Sequence, residues 1–184
     1  MLQSIRFAPR STQTYTAAMN ADSLIIRNVR HSDLDAVLVL NQSEVPHVGS
    51  VDVVRMRWYA DNATYFRVAA TGGEVAAYLV GFRPGVEYTS PNYRWFCEHY
   101  DDFAYVDRVA VSADARRSGI ATQLYEDFAS AMPPAVPVMT CEVNIRPPNP
   151  SSMDFHRRLG FEQVGSLASD SDDKEVAMLL KQLR

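Results

Sequence analysis

The stretch VAVSADARRSGIATQLYEDF, Val109 to Phe128, places Arg116, Arg117, Ser118 and Gly119 where an apolar strand pattern gives way to a helical one. Backbone N–H groups in a first helical turn have no partner inside the helix, and the helix dipole adds partial positive charge there. Gly119 has no side chain to bar close approach, Ala121 has little more, and the two arginines add charge. Such a turn can seat a phosphate directly on backbone. The longer glycine signatures GxxxxGK[ST] and GxGxxG do not occur, which disfavours a phosphate-loop nucleotidase or a dinucleotide fold.

Two residues outside the turn could move protons. Asp107 lies in a strand that is apolar on both faces, where an unpaired acid is costly. It is either a general base or a structural acid bonded to backbone or to an arginine. His156 carries an imidazole, which titrates near about 6.5 and can give or take a proton. It is either a proton donor or a helix-surface histidine.

The elements that must position these residues follow from apolar periodicity. The spacing predicts a strand from Leu24 to Val29, a helix whose face carries Leu34, Val37, Leu38 and Asn41, capped by Ser32 or Asp33, and a short helix with Val53, Val54, Arg57 and Trp58 on one side. YFRVAAT and EVAAYLVGF flank Gly72 and Gly73 as a hairpin. Residues 83–102 read as a long irregular segment rich in rings. A central strand follows, in which Phe103, Tyr105, Asp107, Val109 and Val111 point one way and the residues between them point the other. Then come a helix from Gly119 to about Met132 with Ile120, Leu124, Phe128 and Met132 in a stripe, a strand VPVMTCEVN, a helix opened by a capping pair Ser151 and Asp154, and two strands. This is a mixed α/β domain on one sheet.

Bulk composition narrows the function classes. The chain has 184 residues, 47% of them hydrophobic, and a formal charge of −4, values expected of one globular domain. A basic surplus is absent, so nucleic acid is not expected as a partner. No apolar stretch is long enough to cross a membrane, and a membrane is not expected as a partner either. Cys97 and Cys141 form neither a metal-type nor a redox pair, and no metal is expected; two reduced thiols fit a cytoplasmic location. Residues 1–23 read as a flexible tail ahead of a single domain, 24–184.

The pattern R-x-x-G-x-A, Arg116, Gly119 and Ala121 after VAVS, resembles the signature of the GNAT superfamily of acyl-CoA-dependent N-acetyltransferases. Downstream, NPSSMDFHRRLGF is similar to that family's N-x-x-[AS]-x-x-F-Y-x-[KR]-x-G-F, with Asn149, Phe155, Arg158, Gly160 and Phe161 in place. The resemblance implies a mixed, mostly antiparallel sheet with a central, parallel, splayed strand pair and helices on both faces. It implies acetyl-CoA as cosubstrate, lying along Val109, Ala110 and Val111, with its diphosphate on the amides of Arg116, Arg117, Ser118, Gly119, Ile120 and Ala121 and Thr122 in reach. Asn149, Ser151, Phe155 and Arg158 would flank the arm and its thiol end. Asp107 stands where some members carry a base, a backbone amide near Val109 would serve the oxyanion, and His156 replaces the tyrosine read as the acid. Tyr125, Tyr105 and Tyr100 are alternative acids, although Tyr125 lies beside the core stripe. Glu142 either faces the cleft or is a solvated or paired acid.

The acceptor implied is a primary amine of a small molecule or peptide. Glu44, Asp52, Glu87, Glu98, Asp101 and Asp102 are acids that can attract it. Tyr88, Tyr93, Trp95 and Tyr100 either wall a pocket, pack in the core or cover a subunit contact, and a homodimer stays open as an assembly. His47 either lines the entrance or caps a turn. A non-catalytic acyl-CoA-binding module is the alternative function.

Overall fold

A computed structural model describes residues 23–169 and 173–183; all of the expected tail except Ser23 lies outside them. In chain order the strands are β1 (Ile25–Asn28), β2 (Tyr65–Thr71), β3 (Glu74–Phe82), β4 (Ala104–Val111), β5 (Val138–Arg146), β6 (Glu162–Ala168) and β7 (Glu175–Gln182). The helices are α1 (Leu34–Ser43), α2 (Val53–Asn62), α3 (Pro91–His99), α4 (Ile120–Ala131) and α5 (Pro150–Arg158). One sheet of order β1-β2-β3-β4-β5-β7-β6 contains them, with β4 and β5 parallel and every other neighbour antiparallel.

Alternation along the strands gives the sheet two apolar faces. On one, Val68, Tyr78, Val80 and Tyr105 pack with Leu34 and Val37 of α1, Met56 and Tyr59 of α2, and Tyr93 and Phe96 of α3. On the other, Leu79, Val106, Met139 and Leu179 pack with Ile120, Leu124 and Phe128 of α4. α4 approaches β3 so closely that a Cβ at Gly81 would collide with the Phe128 ring. No helix of the described residues is long and apolar enough to cross a membrane.

Four expectations need correction. The segment 83–102 is not irregular throughout, because α3 lies within it: Ser90 caps its first turn and Pro91 opens it, a start signal hidden by ring-rich, aperiodic composition. On α2 the buried residues are Met56 and Tyr59, while Val53 and Val54 are exposed, so hydrophobicity alone chose the wrong face. α5 is capped by Asn149, whose side chain accepts from the Ser152 N–H, with Pro150 in the first turn; Ser151 is not the cap. The alternation of β4 also does not run through. Val80 pairs with Arg108 but Gly81 pairs with Val106, leaving Asp107 as the extra residue of a β-bulge. Past the bulge the faces exchange: Tyr105 packs on the first face with Ala110, and Val109 and Val111 on the second.

Candidate active site

Parallel pairing of β4 with β5 runs only from Ala104–Met139 to Val106–Cys141, ending at the bulge. Beyond it the strands part. Ser112 N–H donates to the Ala76 carbonyl (2.8 Å), which makes Val111–Ala77 and Val109–Leu79 non-hydrogen-bonded pairs. The N–H and C=O groups of Val109 and Val111 therefore face away from β3, into the gap beside β5.

The turn after β4 exposes backbone as well. Arg117 (φ 62°) and Gly119 (φ 83°) are both left-handed, a conformation that helps successive amides converge on one concavity. No side chain caps the first amides of α4, and the Ser118 hydroxyl donates instead to the Ala115 carbonyl (2.5 Å). A Cβ at Gly119 would meet no atom within 4 Å apart from its chain neighbours, so the space above the turn is free for a ligand. Glycine is thus required for its positive φ as much as for close approach.

These groups border a groove of ≈ 550 Å³. Every residue expected to contact the cofactor lines it except Ser118. Glu44, at the end of α1, also lines the groove and is ion-paired with Arg116, whose Nε lies 3.4 Å from the Val111 carbonyl. An inner cavity of ≈ 110 Å³ shares His47, Val48, Val109, Asn149, Ser152 and His156 with the groove. Its volume has room for an amine head group and not for a nucleotide. Asp107, Tyr125, Glu142 and Lys174 also line it.

Glu142 is the acid of this cavity with a strongly shifted pKa. Its Oε1 accepts from Asn92 Nδ2 and its Oε2 from the Tyr105 hydroxyl, both at 2.8 Å. Burial, and then the charge of Asp107, push its pKa up to about 7 against the pull of these two donors and Arg108. It both faces the cleft and is paired. Asn92 comes from α3, the helix that periodicity did not disclose. Asp107 has both oxygens engaged, by the Tyr88 hydroxyl (2.6 Å) and Arg108 Nε (2.8 Å), and its side chain is 4% exposed.

At the groove's junction with the cavity, Tyr125 and His156 are joined. His156 Nδ1 lies 2.8 Å from the Ser152 carbonyl, which can only accept, so Nδ1 carries the ring proton. Nε2 is then an acceptor, and the Tyr125 hydroxyl donates to it (2.8 Å). Burial lowers the His156 pKa, offset in part by the Ser152 carbonyl, so the ring is neutral at neutral pH. Burial, then Cys141 and Glu142, raise the Tyr125 pKa well above its ordinary value. The proton shared between the pair therefore stays on the phenol oxygen at neutral pH. Tyr125 is a core residue, as its place beside the apolar stripe suggested, with its hydroxyl at the cavity.

Several residues expected near the acceptor have structural partners. Asp52 caps α2 by accepting from the Arg55 N–H (2.7 Å), and Asp102 bridges Arg83 (2.7 Å). Tyr88 and Tyr93 are buried in the core, and Trp95 and Tyr100 pack against it, so packing accounts for these rings. His47 reaches both hollows.

Comparison with known proteins agrees with this geometry. The acetyltransferase (GNAT) family model matches residues 34–161. An N-alpha-acetyltransferase from Sulfurisphaera tokodaii is 27% identical over 157 residues, 84% of this chain and 90% of that protein. Among solved structures, Ard1 from Thermoplasma volcanium superposes with a TM-score of 0.70 at 18% identity, over 86% of this chain and 97% of that one. Chaetomium thermophilum Naa20, in complex with a bisubstrate analogue, gives 0.67 at 21% identity, over 86% of each chain. With the splayed strands, the uncapped turn and both sequence signatures in one cleft, the chain belongs to the GNAT family of acetyltransferases and is an acyltransferase.

Proposed function

We propose that the protein transfers an acetyl group from acetyl-CoA to a primary amine of a small molecule or peptide, by direct attack in a ternary complex. The observation that carries this reading is the adjacency of the two hollows: the groove bordered by the free amides at the start of α4 and the cavity bordered by Glu142 have His47, Val48, Val109, Asn149, Ser152 and His156 in common. The name of the Sulfurisphaera relative favours a polypeptide α-amine as acceptor.

Acetyl-CoA supplies the activated acyl group. The amides of Gly119 to Thr122, with Arg117, seat its diphosphate. Arg116 joins them once it leaves Glu44. Val109 and Val111 offer outward N–H and C=O groups to the amide-bearing arm, as a neighbouring strand would. The same Val109 N–H faces the place where negative charge develops on the acyl oxygen.

Glu142 takes the proton of the attacking amine. With a pKa near 7 it is largely a carboxylate just above neutrality, yet basic enough to hold the proton it receives. Asn92 and Tyr105 fix its two oxygens. Tyr125, whose hydroxyl rests on His156 Nε2 with the ring anchored by Ser152, turns its O–H from that nitrogen to the departing thiolate and gives it the proton. One proton is accepted and one given, and exchange with solvent restores both groups. In this assignment Asp107 does not act as the base. It contributes charge that raises the affinity of Glu142 for a proton.

The test is release of free CoA thiol from acetyl-CoA in the presence of a panel of amines that includes short peptides with free N-termini. Amine-dependent release is expected. Saturable acetyl-CoA binding without release by any amine would contradict the proposal.

A further inference from the structure

Asp107 and Arg108 are neighbours in one strand, and in a regular strand their side chains would point to opposite faces. The bulge lets both enter a single buried network. Arg108 Nη2 donates to the Tyr59 hydroxyl (2.5 Å), and Nε donates to Asp107 Oδ2 (2.8 Å). The Tyr88 hydroxyl donates to Asp107 Oδ1 (2.6 Å), so in the 3.1 Å contact between the two phenols Tyr59 is the donor. The bonds close a ring: Arg108 to Tyr59, Tyr59 to Tyr88, Tyr88 to Asp107, and Arg108 to Asp107. Every hydrogen in it has an assigned direction.

The ring has a tether. Arg108 Nη1 donates to the Gly49 carbonyl (3.2 Å) and to Asn41 Oδ1 (3.0 Å), and Asn41 Nδ2 also donates to Gly49 (3.2 Å). His47, Val48 and Gly49 form one wall of the inner cavity, and Val109, next to Arg108, forms another. One guanidinium therefore fixes the distance between the acceptor wall and the strand carrying the Val109 amide. A lysine could not do this, since its single ammonium lacks the planar fork that addresses three directions. Arg108 and Asp107 are 8% and 4% exposed, so water cannot replace these bonds without opening the packing.

We propose that Arg108, held in the ring with Tyr59, Tyr88 and Asp107, is a positioning residue that sets the acceptor-side wall of the cleft against the β4 bulge. The proposal rests on the acetyl-transfer reading of the cleft. Removing Arg108 outright would leave Asp107 buried without its cation, so the phenols are the better targets: Tyr59→Phe and Tyr88→Phe each remove one hydroxyl, and with it two of the four links, while the aromatic ring stays packed.

Each phenylalanine variant is expected to lower kcat/KM for the amine about tenfold, mostly through KM, a few kT of misplacement being enough for that. The Kd of acetyl-CoA is expected to stay within about twofold, because the groove's amides are untouched. A ring opened once has little more to lose, so the double variant should be within about twofold of the worse single one. Losses that multiply, or singles that change thermal stability and leave the amine KM unaltered, would overturn the proposal. Backbone hydrogen exchange over residues 48–51 separates this from the functional reading. Those amides should exchange about tenfold faster in Tyr88→Phe, whatever reaction the protein performs. Unchanged exchange rules the tether out, whereas faster exchange in a protein that acetylates no amine would leave the tether standing and remove the functional reading.

Discussion

The two halves of the cleft are built in opposite ways. The cofactor half centres on one run of chain, Val109 to Thr122, whose main functional groups are backbone amides and carbonyls, with Arg116 and Arg117 beside them and α5 lining the other side. The acceptor half gathers Gly49, Tyr59, Tyr88, Asn92, Asp107 and Glu142 from the α1–α2 connection, α2, the β3–α3 connection, α3, β4 and β5, and, the Gly49 carbonyl apart, works through side chains. A local backbone device needs only a left-handed turn, a small residue and an uncapped helix start. An assembled device needs every contributing element in register, and its chemistry follows from burial: the same carboxyl that would titrate near 4.5 in water titrates near 7 in the Glu142 position.

Substitutions can sharpen that contrast by damaging one half and leaving the other intact. Glu142→Gln should have the largest effect: a fall in kcat of about 10² to 10⁴, the range for losing a general base, with acetyl-CoA affinity preserved. The same variant checks the pH dependence. Because the Glu142 pKa is raised, the carboxylate forms only as pH climbs through about 7, so the wild-type rate should rise across that pH and the variant's residual rate should lack the step. The sign for stability is opposite. Between the ordinary value of 4.5 and about 7 the folded protein holds a proton that the unfolded chain has lost, so this group's contribution weakens as pH rises through that window. Equal pH profiles for wild type and variant would move the proton transfer to another group.

Gly119→Val damages the other half. It puts a branched side chain over the amides and forces φ 83° on a residue that resists it. Affinity for acetyl-CoA, followed by calorimetric titration, is expected to fall about tenfold or more, while the Glu142 step in the pH profile stays where it was. Unchanged affinity would break the assignment of the turn.

The same contrast decides what was legible in the sequence. The turn was readable because its requirements are written in consecutive letters, Arg116 to Thr122; the order of most elements was readable from alternation and helical stripes, and the parallel splayed pair from the resemblance to the family. The Asp107 bulge was not, since an extra residue in a strand has no signature of composition, and it exchanged the faces assigned to Val109 and Val111. α3 was obscured because tyrosine, tryptophan and histidine have no strong helical period, although Ser90 and Pro91 mark its start. Glu142 could be placed in the cleft or in a pair, but its elevated pKa depends on burial and on the charge of Asp107, and its orientation on Asn92 and Tyr105, which meet it from distant parts of the chain. The Tyr125–His156 bond likewise joins residues 31 apart in sequence, one on α4 and one on α5.

The division of labour is tested most directly by following backbone amide resonances as acetyl-CoA is added to the ¹⁵N-labelled protein. The signals of Val109, Val111 and Gly119 to Thr122 should move furthest and saturate together, with Gly49 and Asn92 little affected. Large saturating shifts confined to the acceptor wall, with the turn before α4 silent, would contradict the account.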